Sequence, residues 1–166
     1  GAPTVLVEKV PSGEESLAAF TALENYLDKK ITATMPIEAG GVNSLIPIAL
    51  AAQTGLPVVD ADGMGRAFPE LQMVTFYLDG INASPMVLAD EKKNSLLLNA
   101  VDGMWTEKIA RNATMTMGGS LLDAIYPMSG KQVKESSILD SLTLEEELGD
   151  IILNSKHPIE DLVEKH

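Results

Sequence analysis

Apolar and polar positions alternate along the first 60 residues in a way that predicts strands separated by helices. Short apolar runs rich in β-branched residues are typical of buried strands, and they occupy residues 4–7, 31–36 and 56–59. Between these runs, apolar residues recur at helical spacing from 17 to 27, and a second helical segment ends at Gly55. This order favours parallel strands joined by right-handed crossovers.

After the loop at residues 63–69 the pattern changes. Turn signals such as Asp79-Gly80 separate three further apolar runs, which predict neighbouring, partly antiparallel strands at residues 74–78, 86–89 and 96–98. Helical patterns follow at residues 104–112, at 143–154 and from Pro158, with a short strand predicted at 114–117. We therefore expect a single α/β domain over residues 1–166, a three-layer arrangement with a mixed, mainly parallel sheet flanked by helices.

The composition excludes several classes of function but says less about the fold. The net charge of −12 disfavours nucleic acid and an anionic membrane as partners, because both need a surface rich in Lys and Arg. The absence of cysteine excludes disulfides, thiolate catalysis and Cys-ligated zinc. The chain opens without a signal-peptide pattern and has no apolar run long enough to span a bilayer, so we expect a cytoplasmic location.

Cofactor signatures are missing from the sequence. It contains no GxGxxG after a strand, no GxxxxGK[ST], no HExxH and no GxSxG, so neither nucleotide binding nor zinc hydrolysis has positive support. Its two histidines, His157 and His166, both lie near the C-terminus and disfavour a histidine metal site. The cofactor therefore stays unknown, and a divalent cation held by carboxylates stays open.

Three glycine-bearing loops follow predicted strands, at residues 38–43, 60–66 and 117–120. In open α/β sheets, ligands bind where loops converge outside the carboxyl ends of the strands. Asp60 and Asp62 are two residues apart, so on an extended strand end they would point the same way, with Arg66 within reach. Such a group can act as general base and anion stabiliser, although an Asp–Arg pair can equally staple its own loop.

Two other polar residues near these loops, Glu38 and Asn43, each have a functional and a structural interpretation. Glu38 ends an apolar strand, where it would serve either as a base or as a carboxylate that caps the next helix. Asn43 fits a helix cap as well as a substrate contact. We predict no metal ligand, and the predicted catalytic residues are Asp60, Asp62, Arg66 and Glu38. The predicted substrate-binding residues are Asn43, Gly63, Glu70, Gln72, Gly118 and Gly119.

Longer strings carry a family resemblance. GAPTVLVEKVPSGEE (1–15), MPIEAGGVNSLIPIALAAQTGLPVVDADGMGRAFPELQM (35–73), LADEKKN (88–94) and MGGSLLDAIYPMSGKQVKESS (117–137) resemble the S-methyl-thiohydantoin desulfurase-like family. That family was long catalogued as a domain of unknown function and is associated with hydantoinase/oxoprolinase proteins. Its members typically carry an upstream glycine-rich segment and a C-terminal β-rich domain, so we expect this chain to be an α/β fragment.

The resemblance implies an enzyme acting on a small cyclic amide or S-methyl-thiohydantoin-type ring, by hydrolysis or desulfurisation. Asp60 or Asp62 would then activate water, and Arg66 would stabilise the developing anion. An alternative is a non-catalytic binding or regulatory subunit of a hydantoinase/oxoprolinase-type enzyme. The expected partners are a small-molecule substrate, further copies of the chain in a homo-oligomer, and such an enzyme.

Overall fold

The computed structural model describes residues 9–165, and the predicted strand at residues 4–7 lies outside them. Helices account for more of the described chain than strands do. The helices are α1 (Glu15–Leu27), α2 (Gly41–Thr54), α3 (Thr75–Leu78), α4 (Gly103–Thr116), α5 (Gly130–Ser136), α6 (Ser141–Asn154) and α7 (Pro158–Lys165). The strands are β1 (Ala61–Asp62), β2 (Met86–Ala89), β3 (Ser95–Leu98), β4 (Leu122–Ala124) and β5 (Ile138–Leu139).

Two small antiparallel sheets replace the single sheet that the sequence predicts. β1 pairs with β5, and a three-stranded sheet has the order β3-β2-β4. The register of the larger sheet sets Val87 opposite Leu97 on one side and opposite Ala124 on the other. The prediction of a mainly parallel sheet flanked by helices is therefore wrong, and the described fold is helix-rich with short antiparallel strands.

The predicted parallel strands at residues 31–36 and 56–59 meet in one bridge only, between Thr34 and Val58. Thr34 donates its N–H to the Pro57 carbonyl at 3.0 Å and accepts from Val59 at 2.9 Å. Pro36 and Pro57 have no N–H to donate, which prevents the ladder from extending through either position. The sequence correctly predicted that these two segments pair in parallel, but the pairing extends over one bridge instead of a full strand ladder.

Helix α1 covers one face of the larger sheet. Ala19 and Leu23 pack against Val87 and Ala89 in a fully buried cluster. On the other face, Met86 and Leu88 pack with Leu98 and with Ala110 of α4. A third cluster surrounds Phe76, whose ring meets that of Tyr126 edge-on at 5.4 Å between centroids.

Two predicted strands are helical instead. In the predicted strand at residues 74–78, residues 75–78 form the short helix α3, where Thr75 donates its N–H to the Gly63 carbonyl at 2.8 Å. Residues 114–116 form the last part of helix α4, and the hydroxyls of Thr114 and Thr116 donate to the helix carbonyls four residues earlier. In the part of the chain that the structure describes, no helix combines the length and apolar character needed to cross a membrane.

Candidate functional site

Asp62 joins two of the three predicted loops. Its Oδ2 accepts N–H bonds from Ala39 at 2.8 Å, Met64 at 3.0 Å and Gly65 at 2.6 Å. The residue is fully buried, and its Oδ1 has no hydrogen-bond partner among residues 9–165. Three amide donors stabilise a buried carboxylate, so Asp62 holds the loop at residues 38–43 against the loop at 60–66.

Gly63 makes this junction close-packed. A Cβ at this position would lie 2.6 Å from a Phe76 ring carbon and 3.1 Å from the Ile37 carbonyl oxygen. The Gly63 N–H donates to that same carbonyl at 3.0 Å. The glycine is therefore required by the approach of Phe76 and of the backbone at Ile37.

Asp60 faces a different part of the molecule from Asp62. Its Oδ1 accepts N–H bonds from Leu142 at 2.9 Å and Thr143 at 3.1 Å, and its Oδ2 accepts from the Thr143 hydroxyl. The hydroxyl bond from Thr143, followed by the two amide bonds, lowers the pKa of Asp60. Asp60 thus caps the N-terminus of α6.

Glu38 and Asn43 form a direct pair. The Asn43 side-chain amide donates to Oε1 of Glu38, whose side chain is buried while Asn43 is exposed. Next to them, the Ser44 hydroxyl accepts the Gly40 N–H at 2.8 Å and lies 3.3 Å from a Glu145 carboxylate oxygen of α6. The first glycine loop therefore carries an oriented carboxylate at the start of α2.

Arg66 does not pair with either aspartate. Its guanidinium carbon lies 4.9 Å from the centre of the Phe68 ring, a cation–π contact, and the side chain is exposed. Within the described residues, no carboxylate forms an ion pair with Arg66. The two aspartates and the guanidinium therefore do not form one cluster here.

Glu70 and Gln72 contact each other and helix α4. The Gln72 side-chain amide donates to Oε2 of Glu70 and lies 3.1 Å from the Met104 sulfur. Oε1 of Gln72 is buried without a partner in the described part of the chain. Below them, Arg111 donates to the Pro69 carbonyl at 3.0 Å and pairs with Glu107, which ties the loop to α4.

The third glycine loop lies apart from the other two. Gly118 and Gly119 have φ angles of 93° and 81° and end helix α4, with the Gly119 N–H donating to Thr114 at 2.8 Å. Lys9 donates to the carbonyls of Met117 and Ser120 and pairs with Glu91 at 2.7 Å. The third glycine loop therefore forms the C-terminal end of helix α4, and Lys9 binds its carbonyls.

A cavity of about 1070 Å³ lies between the segment at residues 29–38, the segment at 122–130 and helices α1 and α2. Three predicted site residues line it, namely Glu38, Asn43 and Glu70. Seven lie outside its lining: Asp60, Asp62, Gly63, Arg66, Gln72, Gly118 and Gly119. Arg66 contacts the ring of Phe68, a lining residue, and so lies at the edge of the cavity. The structure thus gathers part of the predicted site around one concave space.

Asp123, in the middle of β4, is a cavity residue that sequence reasoning missed. It lines the cavity and is exposed, and desolvation by the protein around it raises the pKa of Asp123 to about 6. The other described carboxyls with shifted pKa values, at Glu15, Glu24, Asp60, Asp90 and Glu91, are all lowered. The available signal was a single acid inside the apolar string LLDAIY, residues 121–126.

The described part of the chain contains no cluster of side chains that supports metal binding. Across residues 9–165, no group of three His, Asp or Glu side chains is arranged to hold an ion. The sequence-based reading of an unknown cofactor therefore stays open, and the contacts around Glu38 and Asp62 are explained by amide donors alone.

Comparison with known proteins identifies the family. Residues 1–100 match the model described as S-Me-THD-like, N-terminal domain, and residues 101–166 match S-Me-THD-like, C-terminal domain. A crystal structure of a protein from Chromobacterium violaceum is 29% identical, with a TM-score of 0.80 over 94% of this chain. The chain spans only 45% of that protein's length, and no curated protein matches it. Because the two models cover it from end to end, the chain belongs to the S-Me-THD-like family, which confirms the resemblance drawn from its sequence strings.

Proposed function

We propose that the protein of which this chain is a part is an enzyme that binds an S-methyl-thiohydantoin-type ring or a related small cyclic amide. The proposed reaction is hydrolytic: water replaces the S-methyl group on the ring carbon, and methanethiol leaves. Membership of the S-Me-THD-like family over residues 1–166 is the observation that carries this proposal. The cavity beside the Glu38–Asn43 pair supports the proposal, because it is a concave space large enough for such a ring.

The walls of the cavity suit a small ring that carries sulfur. Met35, Met64 and Met128 line it together with Phe68 and Tyr126. Thioether side chains are polarisable and adapt to irregular shapes, and aromatic rings stack on flat ligands. The Tyr126 hydroxyl donates to the Leu71 carbonyl at 3.0 Å, which fixes that ring in the wall.

The polar groups of the lining suit an amide ring. Asn43 donates to one oxygen of Glu38, which fixes the carboxylate and leaves its other oxygen to accept a ring N–H. Glu70 is held in the same way by Gln72. Carboxylates fixed by neighbouring amides are preorganised acceptors, which lowers the cost of orienting the ligand.

Asp60, Asp62 and Arg66 take supporting positions in this proposal. The amide bonds to Asp62 hold the loop that carries Glu38, and Asp60 holds α6 beside it. Arg66, resting on Phe68 at the cavity edge, would attract an anionic ligand or intermediate. Water activation by either aspartate, a homo-oligomer, a cytoplasmic location and the limits of the domain stay predictions.

The test uses the full-length natural protein that contains this chain. It is incubated with an S-methyl-thiohydantoin, and methanethiol is followed with a thiol reagent while the product ring is identified by mass spectrometry. Glu38→Gln should raise the KM at least about tenfold, because it removes a charged acceptor from the ligand. Glu160→Gln, an exposed change on α7, is the matched control and should leave the kinetics unchanged.

Two outcomes would contradict the proposal. The first is an absence of methanethiol from every cyclic substrate with folded, full-length protein. The second is activity that arises only when a hydantoinase/oxoprolinase-type enzyme is added and that resides in that enzyme, which would favour the regulatory-subunit alternative. Equal kinetics for Glu38→Gln and the control would remove Glu38 from the ligand site.

A further inference from the structure

Asp123 differs from the ion-paired acids of the fold because it is exposed at the cavity and no described cation or side-chain donor bonds to it. Glu24 pairs with Lys30 at 2.9 Å, Glu91 pairs with Lys9, and Glu107 pairs with Arg111. Asp123 has no ion pair within the described residues, and its one polar contact is with its own backbone N–H. An exposed carboxylate that lines a cavity and has no partner is available to accept a hydrogen bond or a proton from a ligand.

The backbone places Asp123 where a ligand can reach it. It is the central residue of β4, which pairs with β2 through the Leu88 position and forms the edge of the three-stranded sheet. Leu122, Ala124 and Ile125 flank it in the cavity lining and make its surroundings apolar. A strand fixes a side chain more firmly than a loop does, which suits a group that must meet a reacting atom.

We propose that Asp123 is the residue that exchanges protons with the ligand in this cavity. This inference rests on the proposed function, and it assigns the base to β4 instead of to the loop at residues 60–66. The cavity also holds Glu38 and Glu70, each bound by a neighbouring amide, and the cations Lys29, Lys30 and Lys134. Asp123 is therefore the one acid of the described lining that is free to change its protonation without breaking a side-chain bond.

The proton path follows from the overall reaction. A water oxygen bonds to the ring carbon that bears the S-methyl group, and one water proton passes to the Asp123 carboxylate. The carbon–sulfur bond then breaks, the proton moves from Asp123 to the departing sulfur, and methanethiol leaves. The second water proton ends on the ring nitrogen, so the C=N bond becomes an amide and no oxidant or reductant is consumed.

Electrostatics supports this role. Burial without a partner raises the pKa of Asp123 to about 6, close to the value at which a carboxyl both accepts and returns protons near neutral pH. The deprotonated form is the base, so kcat/KM should rise with pH through about 6 and level off above it. Asp62, in contrast, has its Oδ2 occupied by three amides and does not face the cavity.

The experiment compares Asp123→Asn and Asp123→Glu in the full-length protein. Asp123→Asn should lower kcat about 100-fold or more, keep the KM within a few-fold and abolish the rise in rate near pH 6. Asp123→Glu should restore part of the rate together with a pH-dependent limb, because the carboxyl returns. Asp79→Asn, in an exposed turn, is the matched control and should change neither quantity.

A second measurement covers the case in which the variants do not fold. Calorimetry of the wild-type protein with the hydantoin product, in buffers of different ionisation enthalpy near pH 6, should show protons exchanged on binding. Wild-type turnover with an unchanged pH profile in Asp123→Asn would overturn this inference alone, as would proton-free binding. Wild-type protein without turnover would overturn the proposed function and, with it, this assignment.

Discussion

The carboxylate of Asp60 accepts hydrogen bonds from both the backbone N–H and the hydroxyl of Thr143. Asp60 lies in the part of the chain that matches the N-terminal family model, and Thr143 in the part that matches the C-terminal one. The sheet crosses the same boundary, because β2 and β3 precede residue 101 and β4 follows it. The two matched parts therefore share a helix cap and a sheet.

Removing this cap should destabilise the chain without touching the cavity. Asp60→Ala leaves the first amides of α6 without an acceptor, and the expected loss is about 1–2 kcal/mol in the free energy of unfolding. Urea denaturation at neutral pH measures it. Because the Thr143 hydroxyl lowers the pKa of Asp60, the stabilisation is present above the ordinary aspartate pKa and is lost as pH falls through the lower folded value.

Glu146→Gln is the control for this variant, since it changes an exposed charge on the same helix. It should alter the unfolding midpoint little. If Asp60→Ala is as stable as wild type while turnover of the full-length protein disappears, the capping interpretation is wrong and the predicted catalytic role of Asp60 gains support.

Asp62→Asn should be more harmful than Asp60→Ala. An asparagine offers at most one oxygen, and its amide group would face the N–H groups of Ala39, Met64 and Gly65 or the buried space now held by Oδ1. Because three charge-assisted bonds weaken at a fully buried site, the expected loss is about 3 kcal/mol. Denaturation followed by circular dichroism measures this loss.

Asp28→Asn provides the comparison, because Asp28 is exposed and has φ near 49°, a conformation that asparagine tolerates well. It should unfold at nearly the wild-type midpoint. A fully stable but inactive Asp62→Asn protein would show that Asp62 acts in chemistry and not in holding the loops together.

Two glycine substitutions should have opposite signs. Gly63→Ala places a Cβ 2.6 Å from the Phe76 ring, so the ring or the loop must shift, at a cost of about 1–3 kcal/mol. Gly149→Ala lies inside α6 with no atom within 4 Å of the new Cβ, and it should stabilise by up to about 1 kcal/mol. Thermal denaturation of both variants tests the pair, and a neutral Gly63→Ala would refute the packing at this junction.

Local signals in the sequence predicted the elements that depend on neighbouring residues. Gly55 marks the end of α2 because its φ of 74° suits glycine, and the predicted runs at residues 86–89 and 96–98 form β2 and β3, an antiparallel hairpin whose turn is held by Asp90 and Asn94. Pro158 correctly marks the first turn of α7. These features need no information about distant parts of the chain.

Elements and contacts that depend on residues distant in sequence were predicted wrongly or not at all. Residues 74–78 have the β-branched and aromatic content of a strand, but Phe76 is buried against Gly63 and Tyr126, and the backbone bond from Thr75 to Gly63 favours a helical turn. The two-residue separation of Asp60 and Asp62 suggested one cluster, yet Asp60 binds Leu142, 82 residues away, and Asp62 binds Ala39, 23 residues away, together with its neighbours Met64 and Gly65. Asp123 escaped notice because its lack of partners is visible only once the cavity is assembled around it.

The stability of Asp123→Asn should depend on pH in the opposite sense to that of Asp60→Ala. Burial raises the pKa of Asp123 to about 6, so the folded state disfavours the ionised carboxyl and loses stability as pH rises from about 4 to 6. An uncharged asparagine avoids this loss. The variant should therefore be more stable than wild type at pH 7, by roughly 1 kcal/mol because water in the cavity screens the charge, and equally stable at pH 3.5. Urea midpoints at the two pH values measure the difference, with Asp79→Asn as the exposed control. A variant less stable than wild type at pH 7 would mean that the carboxylate has a stabilising partner, and its assignment as the unpaired acid of the cavity would fail.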